Sequence, residues 1–368
     1  MTFDAGRLAN PAIAALGAYD SGHDLAALRV RFGRVIAELG ANENPLGPSP
    51  AARAAMRAAL TTGFRYPDPR GAALKAALAR HLGVTTDHIA LGNGSHELLM
   101  LLAQCFADPS HSVVFSQHAF VVFAIAAAAV GAPAIVVPAL PSTHATAPFG
   151  HDPVAIATAV RDDTRLIYLA NPNNPTGTWF GDDALDRLIE RVPPTALIVV
   201  DEAYHEYVDG SGPTSALRLL DRYPNLVVTR TFSKAYGLAG LRIGYVVAHP
   251  SVVGVLERLR QSFNVNCVAL AAAEASLADA SHIEKVRAFN TSERRWLCNQ
   301  LSTRGFAILP SQTNFVLLDI GSGATGVERH LLEGGVVVRP VGGYGLTQSL
   351  RVSIGSRAEN RRLLDALP

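Results

Sequence analysis

Residues 165–177 read Arg165-Leu166-Ile167-Tyr168-Leu169-Ala170-Asn171-Pro172-Asn173-Asn174-Pro175-Thr176-Gly177. A continuous apolar run stops at a cluster of Asn, Pro and Gly. The run does not alternate, so it predicts a strand covered on both faces, and the cluster predicts a loop at its carboxyl end. The same pattern recurs on either side. Runs at 112–116, 134–138, 195–200, 225–230 and 243–248 also read as strands, with helical stretches at 119–130, 152–160 and 182–191 between them. Strands alternating with helices predict an α/β fold with a mostly parallel sheet.

Upstream, the first 45 residues read as irregular, ending in Ala41-Asn42-Glu43-Asn44-Pro45-Leu46-Gly47-Pro48. Ser49 caps an Ala-rich helix to about Leu60, a loop carries Tyr66-Pro67-Asp68, and a helix follows at about 71–82. Gly92-Asn93-Gly94-Ser95 opens a helix running to about Ala107. Beyond about residue 250 the text turns helical, with a long amphipathic stretch at 281–304. Strand-like runs at 314–319, 335–339 and 349–354 and a last helix predict a small α+β second domain.

The 368 residues favour more than one domain, and 49% hydrophobic content excludes global disorder. A net charge of +1 leaves no electrostatic footprint for nucleic acid or an anionic membrane. Cys105, Cys267 and Cys298 are too few and too scattered for a disulfide framework, so a reducing, cytoplasmic location is expected. The opening Met-Thr-Phe-Asp-Ala-Gly-Arg carries no leader pattern, and no apolar run is long enough to span a bilayer. The twelve histidines show no metal spacing, and neither a Gly-x-Ser-x-Gly nor a phosphate-loop motif is present.

Ligands of parallel sheets sit at the carboxyl ends of the strands. There the sequence supplies Asn174, then Asp201-Glu202-Ala203-Tyr204, then Thr231-Phe232-Ser233-Lys234, with Arg242 eight residues later. Only three lysines occur, Lys75, Lys234 and Lys285, so an amine needed for chemistry is easy to find. Lys75 and Lys285 sit in ordinary helical text. Taken singly, Asp201 reads equally as a cap, Asn174 as a turn former, Tyr204 as a buried aromatic and Gly94 as part of a tight turn. Taken together, the set suits a phosphorylated cofactor with a pyridine ring and an aldehyde.

In that order, Asn-Pro-Asn-Asn-Pro-Thr-Gly, Asp-Glu-Ala-Tyr, and Thr-Phe-Ser-Lys with Gly-Leu-Ala-Gly-Leu-Arg resemble the aspartate-aminotransferase-type pyridoxal-phosphate enzymes. The spacing agrees, with 27 residues from Asn174 to Asp201 and 33 from Asp201 to Lys234. Asn42-Glu43-Asn44-Pro45-Leu46-Gly47-Pro48, Tyr66-Pro67-Asp68, Gly94-Ser95-His96-Glu97-Leu98 and Leu350-Arg351-Val352-Ser353-Ile354-Gly355 are similar to the histidinol-phosphate aminotransferase branch. The resemblance covers essentially the whole chain. It implies an aspartate-aminotransferase-like large domain at 46–280, preceded by an arm and loop at 1–45 and followed by a small α+β C-terminal domain at 281–368.

The resemblance also implies roles, with pyridoxal 5′-phosphate as cofactor. Lys234 would link to the cofactor aldehyde and carry the proton between substrate α-carbon and cofactor. Asp201 would pair with the pyridine nitrogen, and Asn174 and Tyr204 with the ring oxygen. Gly94, Ser95 and His96 at a helix N-terminus, with Thr231, Ser233 and Arg242, would hold the phosphate, joined by Tyr66 from the neighbouring subunit of a homodimer. Phe120 would stack on the ring, where many family members carry tyrosine. Arg351 would clamp a carboxylate. Arg339 would meet the substrate phosphate, Tyr19 would share that task and Asn44 would also bind substrate, although Ala18 stands where the family often has proline before Tyr19. The expected reaction is transfer of the amino group from histidinol phosphate to 2-oxoglutarate. An aromatic amino-acid aminotransferase is the alternative, and a decarboxylase of amino-acid phosphates is a more distant one. A cofactor-sensing regulator of the same fold would need a DNA-binding domain ahead of a core that only about 45 residues precede.

Overall fold

The computed structural model describes residues 3–17, 22–33, 35–210 and 212–368. Its centre is a seven-stranded sheet in the order β2-β8-β7-β6-β5-β3-β4. The strands are β2 (Ile89–Gly92), β3 (Ser112–Ser116), β4 (Ala134–Val137), β5 (Thr164–Ala170), β6 (Leu197–Asp201), β7 (Leu226–Thr231) and β8 (Gly244–Ala248). Ladders among β3 to β7 are parallel, and β8 runs antiparallel to both β7 and β2. Alternate residues of one strand feed opposite cores. Leu166, Tyr168 and Ala170 pack beneath the helices Ser95–Phe106 and Val122–Ala129, while Ile167 and Leu169 pack beneath Pro153–Ala159 and Asp182–Arg191. That double coverage is the reason β5 has no polar alternation.

The carboxyl-terminal part builds a four-stranded sheet, β12-β13-β10-β9, from β9 (Ala307–Ile308), β10 (Phe315–Asp319), β12 (Arg339–Pro340) and β13 (Ser349–Ser353). The helix Ala280–Thr303 replaces the expected 281–304 within a residue at each end.

Two features differ from the sequence reading. Residues before 45 are not wholly irregular: a helix spans Leu25–Phe32, capped by Asp24 on the amides of Ala26 and Ala27 and ended by left-handed Gly33. The strand β1 (Ala37–Glu38) then pairs in parallel with β11 (Val336–Val337). No local pattern announces a two-residue ladder between segments some 300 positions apart. For the same reason the expected run at 335–339 divides, since β11 pairs with β1 and β12 with β13. The second difference is β2, four residues long and hydrogen-bonded only to β8, which the reading passed over in favour of the helix that follows it.

Candidate active site

At the carboxyl ends of β5, β6 and β7 lies a cleft of about 320 Å³. It is lined by Asn174, Asp201, Tyr204, Thr231, Ser233, Lys234, Arg242, Ser95, His96 and Phe120 from one side and by Arg339 and Arg351 from the other. Residues more than 250 positions apart therefore converge on one cleft.

Asp201 ends β6 with its side chain buried, and Thr229 Oγ1 donates to its Oδ1 at 2.8 Å. Burial raises its pKa to about 7, against the lowering effect of the Thr229 bond. A carboxylate in that state gains most from a cationic N–H partner. Lys234 is half-buried and donates to the carbonyl of Ala41 at 3.1 Å. Burial, with Arg351 and Arg242 adding repulsion, lowers its pKa to about 8. A lowered pKa makes the neutral, nucleophilic amine accessible near neutrality. Lys75 by contrast is held in an ion pair with Glu257 at 2.7 Å.

The anion cradle is built from backbone and glycine. The helix Ser95–Phe106 starts without a side-chain cap, so its first amides have no such partner. Gly94 has φ +86°, and a Cβ there would lie 2.7 Å from Arg242 NH2. Gly244 in β8 likewise leaves room, since its Cβ would fall 2.7 Å from the amide nitrogen of Ser95. Arg242, itself left-handed at φ +59°, reaches Ser233 Oγ at 3.5 Å and the carbonyl of Ala239 at 3.0 Å. Thr231 Oγ1 lies 3.0 Å from Ser233 Oγ. Helix amides, two hydroxyls and a guanidinium suit a phosphate. With the buried carboxylate and the amine, the donor set fits pyridoxal phosphate.

The opposite wall is fixed by Arg351, which donates to Asn174 Oδ1 at 2.5 Å and to the Gly40 carbonyl at 2.6 Å, its guanidinium over the Phe315 ring. Arg339 stands directly across the ladder from it, the two being register partners of β12 and β13.

Asn44 is a correction. Among the cleft-lining residues its place is taken by Gly40, Ala41, Asn42 and Glu43. Its amide instead donates to Ala235 O at 2.8 Å while its Oδ1 accepts from Leu46 N. That geometry fastens the 44–47 loop against the residue after Lys234, and leaves the amide no reach toward a substrate. Tyr66 does not line the cleft of its own chain; it is 83% exposed and stacks on Phe263 at 4.6 Å. Tyr19 lies outside the described residues.

The sequence reading missed Asn42, whose Nδ2 donates to Tyr204 OH at 3.0 Å. Its φ of +55° puts it in the left-handed region that Asn tolerates, so an Asn in a loop motif was the available signal. It missed Tyr344 as well, an aromatic among glycines in Gly342-Gly343-Tyr344-Gly345, which also lines the cleft. Among the described residues no group of three or more His, Cys, Asp or Glu is placed to hold a metal, and no helix is long and apolar enough to cross a membrane.

Comparison with known proteins adds a lineage. The family model described as aminotransferase class I and II matches residues 34–367. A Pseudomonas fluorescens protein named histidinol-phosphate aminotransferase 2 is 49% identical over 332 residues, covering 90% of this chain and 88% of its own. Histidinol-phosphate aminotransferase 1 of Idiomarina loihiensis is 43% identical over 366 residues, covering 99% and 98%. Among solved structures, histidinol-phosphate aminotransferase from Sinorhizobium meliloti in complex with pyridoxal-5′-phosphate superposes with a TM-score of 0.88 at 34% identity, covering 97% of this chain and 96% of that one.

Proposed function

The chain belongs to the aminotransferase class I and II family, and from that premise we propose that it transfers the amino group of histidinol phosphate to 2-oxoglutarate with pyridoxal 5′-phosphate, as a cytoplasmic homodimer. The observation that carries the substrate is the arginine pair. Arg339 and Arg351 are cross-strand partners on one ladder, and both line the cleft. Like charges directly opposite destabilise a ladder. A dianionic phosphate between them turns that repulsion into two charge-assisted bonds, whereas a carboxylate needs only one guanidinium.

When bound, the cofactor supplies an aldehyde for covalent linkage and a ring that accepts electrons from the substrate α-carbon. The chain's residues do the rest. Asp201 offers the charge that keeps a ring nitrogen protonated, and Thr229 aims it. Lys234 offers the neutral amine and then moves the proton. Tyr204, oriented by Asn42, and Asn174, oriented by Arg351, present hydrogen-bonding groups to the ring oxygen. Phe120 covers the ring. Ser95, His96, Thr231, Ser233 and Arg242 hold its phosphate, with Tyr66 contributed by the partner chain. On this reading 46–280 form the cofactor domain and 281–368 the small domain, to which the preceding segment adds the strand Ala37–Glu38.

The test compares histidinol phosphate, phenylalanine and tyrosine as amino donors in wild type and Arg339→Ala. Wild type should prefer histidinol phosphate. Loss of one partner of a desolvated charge pair costs about 2–5 kcal/mol, so Arg339→Ala should lower kcat/KM for histidinol phosphate about 30-fold or more and spare phenylalanine. Equal losses on all three donors would make Arg339 structural and favour the aromatic aminotransferase. The dimer is checked by sedimentation, where a fully active monomer contradicts it.

A further inference from the structure

Arg339 and Arg351 belong to one hairpin, and the turn between their strands carries Tyr344. The strands are β12 and β13, and a short 3-10 turn spans Gly342–Tyr344. Tyr344 lines the same cleft as both arginines. Burial raises the Tyr204 pKa, Arg351 and the Asn42 bond oppose that rise, and Tyr344 adds a smaller raising effect. Gly345, at φ +80°, ends the turn in a conformation that L side chains rarely adopt.

A buried side chain from beside the large sheet holds the turn, alongside the packing of Val341, Leu346 and Tyr344 with Phe149. His118, in the loop after β3, lies 2.7 Å through Nδ1 from the carbonyl of Tyr344. A carbonyl only accepts, so Nδ1 carries the hydrogen. The His118 ring meets Phe149 edge-on at 5.6 Å, and Asn173 Nδ2 donates to its backbone carbonyl at 2.8 Å. Asn173 lies next to Asn174 and His118 two residues before Phe120, so the loops that carry those two cleft residues also hold the Tyr344 turn.

We infer that Tyr344 is a specificity-determining residue, its hydroxyl the third donor to the substrate's phosphate beside Arg339 and Arg351, and that His118 is the positioning residue that sets it there. This rests on the proposed substrate. A carboxylate has two oxygens, which one bidentate arginine satisfies. A phosphate monoester has three free oxygens, and a neutral O–H donor adds recognition without adding to the arginine repulsion. Tyr344 therefore separates phosphate-bearing donors from carboxylate-bearing ones.

The experiment uses the holoenzyme in wild type, Tyr344→Phe, His118→Ala and His118→Asn. It measures kcat and KM for histidinol phosphate and for phenylalanine, and the inhibition constant of inorganic phosphate. A hydrogen bond to a charged group is worth about tenfold or more, so Tyr344→Phe should raise KM for histidinol phosphate about tenfold. Its kcat should change little, phenylalanine should be spared, and phosphate inhibition should weaken in parallel. His118→Ala should reproduce the KM effect. His118→Asn, whose amide replaces the Nδ1–H donor, should restore most of it. Unchanged KM in Tyr344→Phe, equal loss on both donors, or no rescue by His118→Asn overturns the inference while the proposed function stands. A wild type that aminates from phenylalanine but not from histidinol phosphate overturns the proposed function, and this inference with it.

Discussion

Lys234→Ala lowers transamination by at least about 10³-fold while the protein remains folded, because a positioned acid–base group is worth up to about 10⁴-fold and this one also supplies the covalent link. The fold should survive. Among the described residues the amine donates to Ala41 O, and its burial penalises the charged form. The pKa of about 8 also gives a sign for pH. In cofactor-free protein the amine becomes neutral as pH rises through about 8, so its reactivity toward an acylating reagent should climb between pH 6 and 9. Circular dichroism and steady-state rates check the first result. An active Lys234→Ala enzyme would place the chemistry elsewhere.

Asp201→Asn lowers kcat/KM by about 10²–10³-fold, the range for removing one preorganised electrostatic group. The substitution keeps an oxygen to accept from Thr229 and discards only the charge. Its pH signature separates this from a packing defect. Burial raises the wild-type pKa to about 7, so the carboxylate is ionised above that pH and protonated below it. Cofactor affinity of the wild type should therefore rise from pH 6 to 8, with Lys234 contributing in the same direction. In Asp201→Asn the part of that rise centred near 7 should vanish. A loss below twofold, or an unchanged pH profile, would remove Asp201 from the mechanism.

Much of the large sheet was legible because burial on both faces writes strands such as β5 and β6 as unbroken apolar runs. The expected strand at 165–170 is observed as Thr164–Ala170, and the expected helix at 182–191 as Asp182–Arg191. Strand ends then pointed to Asn174, Asp201 and Lys234, since a residue after a run is at a known end of the sheet. What stayed hidden depends on distant partners. The ladder between Ala37 and Val336 has no local signature. Asn44 and Asn42 share one loop motif, yet only the fold decides that Asn42 meets Tyr204 while Asn44 meets Ala235. Arg339 and Arg351 were each visible as arginines, but their facing register exists only once the hairpin closes. Tyr344 follows from that closure too.

The most direct test of the central claim is the site of cofactor attachment. Holoenzyme is reduced with borohydride, digested and mapped. The account predicts a pyridoxyl group on Lys234 alone among the three lysines of the chain. A pyridoxyl group on Lys75 or Lys285, or none on any lysine, would contradict it.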